Sequence, residues 1–227
     1  MSKNSIRKLI DHIECTMSET DVELGYHPTE IESALVECVF AARATYGSPT
    51  TGVRGVLARW RGHRGGSTLD DLGHLAVFAD DPGNLEEVFH NRQRVPGNYV
   101  TKAEAVALAA QSLTELGCAH VSALAAADDL TPYRVAFESV PGLGRRTWEH
   151  FTMHAGTITP AAEALIVDYV SAAVGSQSDK VLDVHSLVDA TAHRLLLPPD
   201  QLRYGIWRHR KEQQRVLLRT ARAARSA

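Results

Sequence analysis

Apolar residues recur every three or four positions along most of the chain, the spacing of amphipathic helices. In the first such segment Ile6, Leu9 and Ile13 share one face. The pattern predicts helices near residues 4–18, 28–42, 53–60, 69–79, 101–117, 121–127, 132–138, 145–155, 160–173, 181–196 and 200–224. No run alternates apolar and polar residues for long enough to predict a strand. We therefore expect an all-α protein, with residues 1–227 forming one unit of two helical lobes.

The helix at 101–117 carries the clearest signals for its two ends. Thr101 and Glu104 have the spacing of a capping box, and Gly117 is a typical residue after a helix end. The positions expected to face the core are Ala103, Val106, Ala109, Ala110 and Leu113. Several of these side chains are small, so a neighbouring helix is expected to approach closely.

The composition indicates the general class of protein but not its function. The 227 residues are 44% hydrophobic and 22% charged, which is typical of globular proteins. Cys15, Cys38 and Cys118 are too widely spaced for a disulfide framework or a zinc site, and we interpret them as buried thiols. The N-terminus lacks the apolar core of a signal peptide, and no segment is long enough to span a bilayer. We expect a cytoplasmic protein with no membrane association.

Charge is distributed unevenly along the chain. The formal net charge of −3 argues against a generally basic, nucleic-acid-binding surface. Residues 208–225, however, hold six arginines and one lysine against Glu212 alone, which is a net +6 and leaves −9 for the remainder. The last helix, at about 200–224, is therefore predicted to follow phosphates, to dock on the acidic body, or to bind a protein partner.

The segment 131–156 holds two short predicted helices on either side of a five-residue turn at 140–144. Pro141 ends the first helix, and Gly142 and Gly144 permit backbone angles that other residues avoid. Bare amides at the start of the next helix can bind a phosphate. Arg145 and Arg146 oppose the helix dipole there, which suggests an anionic partner. The alternative is a tight turn with both arginines solvated.

This segment resembles the hairpin of the helix-hairpin-helix superfamily of DNA glycosylases, the endonuclease III-like group. Residues 140–147 read Val-Pro-Gly-Leu-Gly-Arg-Arg-Thr, where Leu-Pro-Gly-Val-Gly-Arg-Lys-Thr is a typical form in the family. Two earlier parts of the family's pattern are similar to segments of this chain, one from Asn91 to Glu104 and one at 34–45. Together the three matches span about two thirds of the chain, between residues 30 and 175.

The resemblance implies that double-stranded DNA is the partner and that an extruded base enters a cleft between lobes, where its glycosidic bond is hydrolysed. The DNA-binding residues it implies are Pro141, Gly142, Leu143, Gly144, Arg145, Arg146, Thr147, Asn91, Arg92 and Gln93. A protein with this partner is expected at the nucleoid.

The sequence departs from the family in three places. Arg146 stands where bifunctional members have a nucleophilic Lys, and a guanidinium cannot form a Schiff base, so lyase activity is not expected. The family's catalytic Asp is missing, and Glu163 is the nearest candidate, with an ordinary first-turn helix residue as the alternative. No four-cysteine cluster follows the hairpin, so an iron–sulfur centre is excluded.

We expect no cofactor and no catalytic metal. The alternative function is a non-catalytic DNA-binding or protein-interaction module.

Four further features have a functional and an ordinary interpretation. His150 and His154 have the spacing of a zinc-ligand pair but lack a third ligand, so we expect them to be cleft or core residues. Trp148 and Met153 are expected in the core. The loop at 59–67 is basic and Gly-rich but lacks a P-loop ending, so a solvated loop is favoured. The cluster 91–94 fits either base-edge contacts or helix caps.

Overall fold

The computed structural model describes residues 3–18, 26–175 and 183–225, apart from the side chains at 219, 222, 223 and 225. Its helices are α1 Lys3–Thr16, α2 Ile31–Phe40, α3 Gly52–His63, α4 Gly73–Ala76, α5 Pro82–Phe89, α6 Lys102–Glu115, α7 Val121–Ala126, α8 Thr131–Ser139, α9 Arg145–His154, α10 Pro160–Val174, α11 Val184–Leu195 and α12 Pro199–Arg225. The described residues contain no strand, only an isolated bridge between Arg94 and Thr101. The predicted all-α class is confirmed.

The chain divides into two compact units. Unit 1 combines Met1–Leu24 with Ile158–Ala227, and unit 2 is the continuous stretch Gly25–Thr157. None of the described helices is long and apolar enough to cross a membrane.

Unit 2 is built around α6. Helices α2, α4, α5 and α8 all pack against it. The predicted inward face is confirmed, because its five side chains are completely buried, and most of them are alanines that let neighbouring helices approach. The predicted capping box is also present: the Thr101 side chain accepts from the Glu104 N–H, and the Glu104 side chain accepts from the Thr101 N–H.

Unit 1 packs α1, α10, α11 and α12 together. The first half of α12 supplies the buried residues Leu202, Tyr204, Ile206 and Trp207. Arg203 pairs with Asp189 on α11, and Arg210 pairs with Asp168 on α10. Part of the basic helix therefore docks on acidic residues, while binding to a protein partner stays a prediction.

Several local predictions need correction. The predicted helix at 69–79 shrinks to the single turn of α4, and Pro28 lies in a turn before α2 rather than in its first turn. The start predicted at residue 181 lies outside the described residues, and α11 begins at Val184. Cys38 and Cys118 are buried as expected, but Cys15 is exposed, because it lies on the outer face of α1.

The basic segment 59–67 also differs from the solvated loop that the sequence predicted. Helix α3 continues to His63, so half of the predicted loop is helical. Arg61 pairs with Glu30, and Arg64 Nε lies 3.1 Å from the Glu32 carboxylate, which is completely buried. Both arginines are therefore paired with carboxylates: Arg64 is largely shielded from solvent, whereas Arg61 is 44% exposed and forms a surface ion pair.

Candidate nucleic-acid interface

The turn predicted at 140–144, called here the hairpin, joins α8 to α9. Its closing bond runs from the Leu143 N–H to the Val140 carbonyl at 3.0 Å. Leu143 is buried, whereas Pro141 and Gly142 are exposed. Beneath it the Phe137 and Trp148 rings meet edge to face with centroids 5.4 Å apart. The expected core positions of Trp148 and Met153 are confirmed by their burial.

The two glycines of the hairpin have different structural roles. Gly142 has φ +86°, and a Cβ there would lie 2.5 Å from Val95 Cγ1, so only glycine fits this backbone without strain. Gly144 has the extended φ of −153° and precedes the first residue of α9 as its N-cap. A Cβ on Gly144 would meet no atom within 4 Å. Packing therefore requires glycine at 142 but not at 144.

The backbone around the start of α9 has free hydrogen-bonding capacity. The N–H groups of Thr147 and Trp148 both donate to the Gly144 carbonyl. Those of Gly144, Arg145 and Arg146 have no backbone acceptor within the part of the chain that the structure describes. Such N–H groups, at the positive end of a helix dipole, are suited to an anion.

A second turn, 95–98, lies against the hairpin. The Asn98 N–H donates to the Val95 carbonyl at 3.0 Å across Pro96 and Gly97, and Gly97 has φ +79°. Its flanks are held together by the bond from the Lys102 N–H to the Gln93 carbonyl at 2.8 Å. Pro followed by Gly is the residue pair that a type II turn favours at its centre.

Gly142 packs the hairpin against the second turn, which follows the predicted DNA-binding residues 91–93 in the chain. The atoms closest to its missing Cβ belong to Val95 and Asn98 of the second turn. Tyr99, directly after this turn, is 89% exposed. We call the hairpin, Arg145, Arg146 and the turn 95–98 with Tyr99 the hairpin surface. Sequence reasoning missed Asn98 and Tyr99, although the Val-Pro-Gly-Asn sequence is a turn signal.

The hairpin surface and its flank carry more positive than negative charge. Arg145 pairs with Glu149 at 3.3 Å but is 71% exposed, and Arg92 lies 3.6 Å from Glu86. Arg94 and Arg146 are exposed, and no carboxylate of the described residues forms an ion pair with either. Ion pairs at an exposed surface are weak because water screens them, so the arginines in these pairs stay available to a polyanion.

Asn91 and Gln93 are placed differently from the expected base-edge contacts. The Asn91 side chain accepts from the Gln93 N–H at 2.9 Å, a local turn bond. Gln93 Oε1 accepts from Lys102 Nζ at 3.4 Å. Both residues line a surface cavity beside Arg43 and not the hairpin.

Glu163, the candidate catalytic carboxylate, lies in unit 1, in the first turn of α10 after the N-cap Thr159. Its side chain is 47% exposed, and one carboxylate oxygen lies 2.8 Å from His185 Nε2 on α11. His185 has no motif around it that sequence reasoning would have found. The next carboxylate, Asp168, is already paired with Arg210.

Unit 2 also contains a buried carboxylate network that the sequence did not predict. Glu37 is 1% exposed, and its carboxylate lies 2.7 Å from His27 Nε2 and 3.9 Å from His154 Nε2. The Tyr46 hydroxyl donates to Oε1, the carboxylate oxygen that faces His154, whereas His27 contacts Oε2. Burial raises the pKa of the Glu37 carboxyl, but the two histidines and Tyr46 outweigh it and lower that pKa to about 2.

The network gives His154 a place in the core. His154 is completely buried, and its ring centroid is 4.6 Å from that of His150. Among the described residues, no group of three His, Cys, Asp or Glu side chains is arranged to hold a metal ion. His154 therefore acts in the described structure as a partner of Glu37.

Comparison with known proteins identifies a family but no activity. No curated protein and no solved structure matches the chain. The sequence model of a domain of unknown function, DUF8548, matches residues 7–211. Because this match covers most of its length, the chain belongs to the DUF8548 family.

Proposed function

We propose that this chain is a divergent member of the helix-hairpin-helix DNA glycosylase superfamily that binds duplex DNA through the hairpin surface and hydrolyses the N-glycosidic bond of an extruded base. The observation that supports binding most strongly is the seating of Gly142 on Val95 and Asn98. It anchors the hairpin, which is followed directly by three N–H groups without a backbone acceptor among the described residues and by the exposed Arg145 and Arg146.

The hairpin surface has the chemistry that a DNA backbone requires. The N–H groups of Gly144, Arg145 and Arg146 donate to phosphate oxygens, and the two guanidinium groups add charge. Tyr99, exposed at the adjacent turn, offers an aromatic face to a base or sugar. Binding of this kind replaces counterions, so affinity falls steeply as the salt concentration rises.

For hydrolysis, the proposal assigns the catalytic role to Glu163. Its carboxylate stabilises positive charge on the sugar and accepts a proton from the attacking water, while the base leaves with the electrons of the broken bond. His185, at 2.8 Å, fixes the position of that carboxylate. Arg146 supports the DNA backbone and forms no covalent intermediate, so borohydride is expected to trap no adduct.

The second candidate is a DNA-binding module without catalysis. One observation favours it: Glu163 is nearly half exposed, whereas catalytic carboxylates with raised proton affinity are typically shielded from water. A glycosylase assay on duplexes with alkylated, deaminated and oxidised bases separates the two candidates. Base release supports hydrolysis, and salt-sensitive binding without base release supports the module.

Gly144→Asp tests phosphate binding without disturbing the fold. The position is an N-cap with open space, where Asp is a preferred residue, so stability is expected to stay equal or rise by about 0.3 kcal/mol. The added carboxylate repels phosphate, so duplex affinity, measured by fluorescence anisotropy, is expected to fall at least about tenfold.

Gly144→Ser is the matched neutral control, since it also caps the helix but adds no charge. It is expected to bind duplex DNA more tightly than Gly144→Asp does. Wild-type affinity in Gly144→Asp would show that the hairpin does not contact phosphates.

Gly142→Asp is expected to weaken both folding and binding. The side chain meets Val95 and forces a residue other than glycine to φ +86°, which costs roughly 1–3 kcal/mol of stability. Duplex affinity is expected to fall as well, because the hairpin no longer packs against the second turn. Thermal unfolding and anisotropy on the same sample measure the two effects. A variant that loses stability but keeps its affinity would make the hairpin purely structural.

A further inference from the structure

A surface cavity of about 400 Å³ opens in unit 2 between the C-terminus of α2 and the N-terminus of α3. Its lining includes Arg43, Arg59, Asn91 and Gln93, and none of its described lining residues is Asp or Glu. We call it the cation pocket. It is separate from the hairpin, none of whose residues line it.

The two guanidinium groups of the cation pocket, those of Arg43 and Arg59, differ from those of Arg61 and Arg64 in having no carboxylate partner among the described residues. Arg59 Nε donates to the Phe89 carbonyl at 2.6 Å, which fixes the group at the pocket wall. Arg61 and Arg64 are neutralised by Glu30 and Glu32. Within the described ranges, in contrast, neither Arg43 nor Arg59 is paired with a carboxylate.

A third cation, Lys102, lies against the same wall. It is only 2% exposed, and its Nζ donates to the carbonyls of Phe40 and Ala42, each at 3.0 Å, and to Gln93 Oε1. All three acceptors are neutral, and burial lowers the pKa of the Lys102 ammonium. A buried ammonium without a counter-anion is unfavourable, so an anion bound beside Phe40 and Gln93 would compensate its charge.

The start of α3 adds to the positive potential. Gly52 and Val53 line the pocket, and the first turn of this helix has no acidic residue. The N–H groups of Val53 and Arg54 already donate to the carbonyls of Thr45 and Tyr46, so the helix start contributes the field of its dipole and not free donors. Two arginines and a helix N-terminus thus line one polar cavity, and the buried Lys102 lies behind its lining residues Phe40 and Gln93.

We infer that the cation pocket binds the phosphate group of a phosphate ester, held by Arg43 and Arg59. The cavity is larger than a bare phosphate needs and lies in the range of small-molecule sites, about 300–1,000 Å³, so it admits an attached sugar. The ester is a free nucleotide or sugar phosphate, or a backbone phosphate of DNA. The inference does not depend on the proposed function, because the pocket lies apart from the hairpin.

Calorimetric titration with inorganic phosphate and with thymidine 5′-monophosphate, in a chloride buffer, tests the pocket. Wild-type protein is expected to bind both, and Arg43→Gln to bind them at least about tenfold more weakly. Arg43 is exposed, so this variant is expected to keep the wild-type unfolding temperature. Arg54→Gln, an exposed arginine of α3 outside the pocket, is the matched control and is expected to bind like the wild type. Absence of binding, or equal affinity in both variants, overturns the inference.

Competition with an unmodified duplex then identifies the source of the phosphate. A duplex that displaces the nucleotide from wild-type protein assigns the pocket to the DNA backbone, and one without effect assigns it to free phosphate esters. Gly144→Asp is expected to keep its affinity for the nucleotide. Failure of hairpin binding and failure of the pocket are therefore distinguishable.

Discussion

Replacing Glu163 by Gln is expected to slow base release by about a hundredfold or more while duplex affinity stays unchanged. The substitution keeps the size of the side chain but removes the negative charge that stabilises the sugar and the basic oxygen that activates water. Single-turnover assays on the duplex that the wild type cleaves measure the rate. Anisotropy on the same duplex measures the affinity.

Asp168→Asn is the matched control for this prediction. Asp168 lies on the same helix but is engaged by Arg210, so its loss is expected to leave the rate of base release nearly unchanged. If excision survives in Glu163→Gln and is lost in Asp168→Asn, the catalytic carboxylate has been assigned to the wrong residue. If both variants cleave like the wild type, neither carboxylate is catalytic.

Replacing Glu37 by Gln is expected to lower the free energy of unfolding at pH 7 by about 3 kcal/mol. The carboxylate is buried among His27, His154 and Tyr46, so removing its charge leaves their donors without an ionised acceptor. Urea unfolding measures the change. Glu115→Gln, at an exposed position at the end of α6, is expected to change stability by no more than about 0.5 kcal/mol.

The effect of Glu37→Gln depends on pH in a defined direction. The pKa of Glu37 is lowered to about 2 in the folded chain, below the ordinary value of about 4.3. Its contribution is therefore complete above the ordinary pKa and is lost as the pH falls towards 2. The stability difference between wild type and variant is expected to shrink across this range. A difference that stays constant between pH 6 and pH 3 would contradict the assignment.

The helices were largely predictable because their signals are local. The capping box of Thr101 and Glu104 and the buried face of α6 depend on residues three or four positions apart. The turn at 140–144 is likewise encoded by its own proline and glycine. Where local signals were weak, as at 69–79 and around Pro28, packing decided how much helix formed.

The candidate sites were predictable only in part. Sequence reasoning selected the hairpin and Glu163, but not His185, Tyr99 or the burial of Lys102. It placed Arg59, Arg61 and Arg64 together in one basic loop, because the sequence does not show which of three neighbouring arginines has a carboxylate partner. The tertiary structure separates them, since Arg61 and Arg64 meet Glu30 and Glu32 at the start of α2, whereas Arg59 meets no carboxylate of the described residues.

By itself, the sequence determined an all-α chain with a glycine-rich turn between two short helices and a basic C-terminal helix. Only the tertiary structure decided that Gly142 rests on Val95 and Asn98, that Glu37 meets His27 and His154, and that Lys102 lies beside the cation pocket. The reason is physical. Helix periodicity and capping depend on neighbours within one turn, whereas these contacts join residues at least nine positions apart, which only packing of the core brings together.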